Sequence, residues 1–232
     1  MPRRRFAPAV CALVSGGLDS AVLLSRLLSR GTMVRPLYLR GGLSWETAEL
    51  FWLRQLLRAI RCHALAPLDV VTVPLRPLYG AHWSLTGRHV PGARSADHAV
   101  FLPGRNVFLI GHAAVRCAPQ RLSTIALGTL KGNPFGDASP RFFATFASCL
   151  TQALEHPIRI IAPLRRVTKR AVIRASADLP LHLTFSCLSP RGRLHCGVCN
   201  KCAERRRAFR AARVPDPTLY TARSTQHTAR GA

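Results

Sequence analysis

The chain has 232 residues, 48% of them hydrophobic, and carries 34 Lys and Arg against ten Asp and Glu. This suits one α/β domain with a full core and a small appendage, and excludes a disordered chain. No apolar run reaches the roughly 18 residues that a membrane-spanning helix needs. The formal charge of +24 admits nucleic acid or another polyanion as a partner. The basic residues are nearly all Arg and are spread along the whole chain, so compositional drift toward Arg accounts for the same pattern. Scarce acid makes each Asp and Glu a candidate for a role. The basic start, Met1 to Phe6, precedes an apolar stretch broken by Pro8 and then by Ser15-Gly16-Gly17, which reads as a strand of a cytoplasmic protein rather than a signal peptide.

Apolar runs and helical patterns alternate along the chain. Residues 10–14 read as a buried strand and 20–30 as a helix closed by Gly31. A strand over 34–39, a long helix over 45–60 and a strand over 70–75 follow. A loop-rich stretch runs from Arg76 to about Arg105. Beyond it come a helix over 106–117, a strand over 124–130, a helix over 140–154 and a strand over 158–164. Thr168 caps a further helix running to about Ala177. This alternation predicts a doubly wound α/β fold with a mostly parallel sheet, ligands binding beyond the carboxyl ends of the strands. The expected division is an ATP-binding domain over 8–180, a metal-binding segment over 181–215 and a loose polar tail over 216–232.

After the first strand stands Ser15-Gly16-Gly17-Leu18-Asp19-Ser20. Glycines let the backbone turn tightly and bring N–H groups toward an anion, and the following helix adds its positive end. Ser20 is the expected helix cap. The string lacks the lysine of a Walker loop and the spacing of a dinucleotide fingerprint. It resembles the SGGxDS loop of the ATP pyrophosphatase superfamily, whose members cleave ATP between the α- and β-phosphates. That resemblance implies that the segment from Leu13 and Val14 through Ser20 binds ATP, with Ser15 and Ser20 holding the departing pyrophosphate and Asp19 ordering the loop or placing Mg²⁺.

Four of the eight cysteines, Cys11, Cys62, Cys117 and Cys149, are scattered in apolar surroundings. The others, Cys187, Cys196, Cys199 and Cys202, are spaced C-x8-C-x2-C-x2-C. Four thiolates satisfy tetrahedral Zn²⁺ and close a structural site, and Gly197 suits the turn between ligands. An iron–sulfur cluster is the other reading of this spacing. His195 is expected beside the metal and not on it. Trp83 in the long loop is the better stacking candidate for a purine, whereas Trp52 sits at core spacing. Glu46 and Glu49 suit the first turn of their helix through its dipole.

The glycine loop and the cysteine spacing together resemble the QueC (7-cyano-7-deazaguanine synthase) family. Leu102-Pro103-Gly104-Arg105-Asn106, Asp137-Ala138-Ser139-Pro140, Ala162-Pro163-Leu164 with Thr168-Lys169, and Leu183-Thr184-Phe185-Ser186-Cys187 resemble further elements of that family. The resemblance implies an adenine nucleotide alpha-hydrolase-like fold and a homodimer. It implies conversion of 7-carboxy-7-deazaguanine, ammonia and ATP to 7-cyano-7-deazaguanine, a carbon–nitrogen ligation through an adenylated carboxylate. Arg105 and Lys169 are then expected at the reacting groups, Gly128 at the nucleotide, and Lys131, Asp137 and Trp83 at the substrate. The chain departs from the family at 38–45 and 129–136, where its Tyr-Gly-Gln-Arg-His-like and Asp-Tyr-Ser-Gly-Tyr-Pro stretches are absent. Two alternatives stand beside this reading: a different ATP pyrophosphatase acting on another carboxylate or a tRNA base, and a non-catalytic zinc protein that binds nucleic acid.

Overall fold

A computed structural model describes residues 9–176 and 178–221. Its centre is a five-stranded, wholly parallel sheet in the order β3-β2-β1-β4-β5. The strands are β1 (Ala9–Leu13), β2 (Met33–Arg40), β3 (Asp69–Thr72), β4 (Thr124–Ala126) and β5 (Arg159–Ile161). The first strand alternates between the two faces. Cys11 and Leu13 pack under α5 (Arg105–Cys117) and α6 (Pro140–Leu154); Val10, Ala12 and Val14 pack under α1 (Leu18–Leu28) and α2 (Glu46–Ala59). With helices on both faces, both sides of β1 meet apolar neighbours, which explains its unbroken apolar run.

The chain leaves β1 toward β2 on one side, while β4 pairs on the other. The order therefore reverses at β1, and a crevice opens beyond the carboxyl ends of β1 and β4. The strands stop short of their predicted ends there. The sheet bond from the Leu127 N–H to the Ile161 carbonyl spans 2.9 Å, and beyond it Gly128 lies against Asp19 in the first turn of α1. A Cβ on Gly128 would stand 3.0 Å from the Asp19 carbonyl oxygen, so glycine alone lets β4 approach α1 this closely.

Other boundaries shift for local reasons. The predicted first helix starts two residues early, at Leu18, with Gly17 as its cap. Ser20 is not the cap, because its hydroxyl accepts the Ser15 N–H at 3.0 Å instead. Ser139 caps α6 by accepting the Phe142 N–H at 3.1 Å, and Thr168 caps α7 (Lys169–Arg174) as expected. The long loop contains two single-turn helices, α3 (Arg76–Tyr79) and α4 (Trp83–Thr86). The expectations for residues 1–8 and for the tail beyond Thr221 lie outside the described residues. No described helix is long and apolar enough to cross a membrane.

The C-terminal segment, which ends in α8 (Asn200–Ala212), shares apolar contacts with α2, α4 and the long loop. Arg205 of α8 is its anchor at 1% exposure. Its guanidinium donates to Thr184 Oγ1 at 2.9 Å, to the Leu181 carbonyl at 3.0 Å and to Thr218 Oγ1, with Asp216 at 3.6 Å. Arg205→Ala would remove the cation beside Asp216 and all of these hydrogen bonds from a buried site, so the unfolding free energy should fall by about 3 kcal/mol. Urea denaturation reads this as an earlier midpoint, and an unmoved midpoint would show the network to be dispensable.

Candidate functional site

The turn between β1 and α1 is held by its own hydroxyls. Ser15 Oγ lies 3.2 Å from Ser20 Oγ and 3.4 Å from the Gly17 nitrogen. Gly16 has a φ of +75°, and its Cβ would press on Leu53 at 3.0 Å. No side chain caps α1. Its first N–H groups are therefore available to an anion, as at other phosphate-binding helix ends. Leu13, Val14, Ser15, Asp19, Ser20 and Gly128 wall one side of a cavity of about 220 Å³ at the strand ends. A second cavity of about 300 Å³ adjoins it, and Gly17 and Leu18 line that one.

Six residues line both cavities: Ser15, Asp19, Glu49, Arg105, Asn106 and Asn133. They mark the place where the contents of the two chambers meet. Arg105 and Asn106 open α5, preceded by Gly104 at φ +69°. Asp137 accepts the Asn106 N–H at 3.0 Å and its side-chain amide at 3.3 Å. It thus fixes the start of α5, and it also lines the larger cavity. Phe101 and Phe135 stack at 4.7 Å and line the same wall.

Asp19, Lys169, Glu204 and Lys201 form a chain of alternating charge. Lys169 Nζ lies 3.8 Å from Asp19 and 2.6 Å from Glu204, and Lys201 lies 2.6 Å from the other Glu204 oxygen. Burial pushes the Glu204 carboxyl up, but the two ammoniums outweigh it and hold it down at about 2. Burial pushes Asp19 up, with Lys169 opposing. Asp19 Oδ1 is buried and accepts no hydrogen bond from a described residue. An orphaned carboxylate oxygen beside a phosphate cradle fits a hard cation such as Mg²⁺. Of 34 basic residues only three are lysines, and Lys131, Lys169 and Lys201 all line one mouth of this cleft.

The four clustered cysteines converge. Their Sγ atoms lie within 4.8 Å of one another, with Cys187–Cys199 at 4.0 Å and Cys196–Cys202 at 3.9 Å. Thiolates on a tetrahedral zinc sit ~3.8 Å apart, so the set fits that ion. Backbone N–H groups of Leu188, Ser189, Cys196, Val198 and Cys199 point at the sulfurs. Gly197 makes the turn at φ +80°. His195 is buried beside the cluster. Burial and the nearby Arg205 hold its ring down at about 3, and Nε2 accepts the Ser186 N–H at 3.2 Å. The cluster is tied to the glycine loop, because the Phe185 N–H donates to the Gly16 carbonyl at 2.9 Å.

Trp83 is placed elsewhere: it stacks on Trp45 at 5.8 Å within an apolar cluster, and Trp45, not Trp83, reaches the larger cavity. Glu49, Lys201 and Glu204 line that cavity without having been singled out by motif, and so does Ser186 of the family-like element over 183–187. Scarcity of acid was the one available signal for Glu49 and Glu204; scarcity of lysine was the signal for Lys201. Glu46 serves the loop after β2, accepting the Gly41 and Gly42 N–H groups at 2.6 and 2.9 Å.

Comparison with known proteins shows the family. The family model for queuosine biosynthesis protein QueC matches residues 9–213. A protein named 7-cyano-7-deazaguanine synthase from Anaeromyxobacter sp. is 32% identical over 236 residues, spanning 95% of this chain and 99% of the relative. One of the same name from Methanothrix thermoacetophila is 30% identical, spanning 91% and 98%. Among solved structures, a 4-thiouridine synthetase in complex with RNA and ATP shares the fold, with a TM-score of 0.51 at 16% identity over 89% of this chain and 50% of that one. Since the family match runs through nearly the whole described chain, this protein belongs to the QueC family of queuosine biosynthesis proteins.

Proposed function

We propose that this chain, an ATP-dependent enzyme of the QueC family, converts 7-carboxy-7-deazaguanine and ammonia to 7-cyano-7-deazaguanine in the cytoplasm. The single observation that carries the reading is the pair of adjoining cavities, one walled by the glycine loop, with Arg105 and Lys169 beside their junction. A carboxylate is a poor electrophile, and phosphoryl activation supplies its leaving group. In this reading a substrate carboxylate oxygen attacks the α-phosphorus of ATP, and pyrophosphate departs against the Ser15–Ser20 turn and the α1 N-terminus. Arg105 and Lys169 balance the charge that develops on phosphate and acyl oxygens. Ammonia then forms the C–N bond as AMP leaves, giving an amide. A second activation and loss of the remaining oxygen gives the nitrile. Mg²⁺, held by Asp19, supplies charge neutralisation at the phosphates.

A second reading, another carboxylate on the same machinery, is favoured by the mouth itself: Lys131 and Phe135 line it where the family motif is absent. A panel of carboxylates with ATP and ammonium separates the two. Carboxydeazaguanine should stimulate AMP or ADP release above all others; stimulation by a different acid alone transfers the reading to that acid. Asp19→Asn should lower this release at least tenfold. Tight, salt-sensitive RNA binding with no ATP turnover would support the nucleic-acid alternative instead.

The cysteine cluster is read as structural zinc, and about one zinc per chain is the expected result of metal analysis. Iron with labile sulfide would overturn it. Because Phe185 joins the cluster to Gly16, Cys202→Ser should weaken binding of a non-hydrolysable ATP analogue as well as metal retention. Retained nucleotide affinity after metal loss would show the two to be independent. The reading also carries a homodimer, which sedimentation at micromolar concentration tests.

A further inference from the structure

Glu49 has no part in the steps above, yet its position is unusual. It sits in the first turn of α2, where an acid suits the helix dipole, but it is only 7% exposed and lines both cavities. A carboxyl taken out of water at such a place costs stability unless it is fully paired. The charged and titratable groups around it come from three elements. Tyr38 of β2 donates its hydroxyl to Oε2 at 2.7 Å, Arg105 of α5 attracts the carboxylate, and Glu46 of α2 repels it. The other oxygen accepts no hydrogen bond from a described residue.

We propose that Glu49 is the general base of the amide-forming step, taking the proton that ammonia or a primary amine sheds as it attacks the activated acyl carbon. The C–N bond forms, the bond from carbon to the bridging oxygen breaks, and AMP leaves with that electron pair. The surplus proton on nitrogen passes to the Glu49 carboxylate and then to solvent. This rests on the adenylation reading. The location fits the task, since Glu49 shares the junction of the cavities with Ser15, Asp19 and Arg105, where acyl carbon and nucleophile meet. Its titration supports it. Burial drives the carboxyl up to about 7, against the Tyr38 hydrogen bond and the Arg105 charge, both of which hold it down. A base poised near the working pH takes a proton most effectively.

The sign of the pH dependence follows. Below about 7 the group is protonated and cannot accept, so AMP release measured at constant free ammonia should fall as pH drops through 7. Removing the Tyr38 hydroxyl removes a bond to the carboxylate, so Tyr38→Phe should move that limb to higher pH. The folded pKa lies above the ordinary glutamate value near 4.5, so native protein holds more protons than unfolded between the two values. Stability therefore declines through that window. Glu49→Gln should raise the melting temperature at pH 8 and not at pH 4.5.

The test separates the two half-reactions in the purified full chain, with carboxydeazaguanine as the acid. At constant free ammonia, Glu49→Gln should cut AMP release about 100-fold or more and abolish the acid limb. Substrate-dependent pyrophosphate exchange should change less than threefold. Equal losses in both half-reactions, or an acid limb that persists in Glu49→Gln, would overturn the assignment. So would an acid limb unmoved in Tyr38→Phe, which holds even where Glu49→Gln fails to fold. Wild-type protein that exchanges pyrophosphate with no carboxylate would instead sink the adenylation reading, and the proton transfer with it.

Discussion

One ammonium organises the cleft. Lys169 Nζ reaches Asp19 of the glycine loop on one side and Glu204 of α8 on the other, so three distant stretches of sequence are fixed around a single positive charge. Lys201 closes the far end of the chain. Without these cations Asp19 and Glu204 would face one another across a low-dielectric gap, and one of them would be driven to protonate. The arrangement lets a phosphate cradle keep an ionised acid beside it, and it leaves Asp19 Oδ1 uncommitted. The hydrogen bond from Phe185 to Gly16 makes the same connection through the backbone. The cysteine cluster is therefore part of the scaffold of the cleft.

Much of this was legible in the residues themselves, for reasons that differ by element. The central strand was plain because both its faces are buried, which imposes a continuous apolar run from Val10 to Val14. The four cysteines were plain because metal ligation dictates spacing. Thr168 and the turn at Gly31 declared themselves through capping chemistry. The ends of β1, β3, β4 and β5 were overextended because hydrophobicity continues past the last ladder bond, where the chain turns into the crevice. Ser20 was misplaced because a serine hydroxyl suits a cap and a loop N–H equally, and only the fold decides between them.

The side chains that motif reasoning passed over are tertiary in origin. Glu49 reads as a dipole partner from its helix position, and only the packing of β2 and α5 around it reveals a buried acid. Trp83 reads as a free aromatic in a loop, and only folding provides Trp45 as its partner. Asp137 stands 31 residues from Asn106, too far for any local rule to pair them. Acid scarcity did carry information. Glu46, Glu49, Asp19, Asp137 and Glu204 all face the cleft or the loops that shape it. Half of the ten acids of the chain thus stand at the cleft or the loops that shape it.

The three lysines at the cleft mouth have an implication of their own. Nearly every other cation of the chain is a guanidinium, yet Lys169 and Lys201 stand where the geometry favours ammoniums. The physical reason is shape. Glu204 accommodates two compact cations at 2.6 Å on its two oxygens, whereas a guanidinium fork would engage both oxygens at once and exclude the second partner. In arginine-saturated proteins of this kind, the rare lysine is a guide to chemistry that the abundant charge would otherwise conceal.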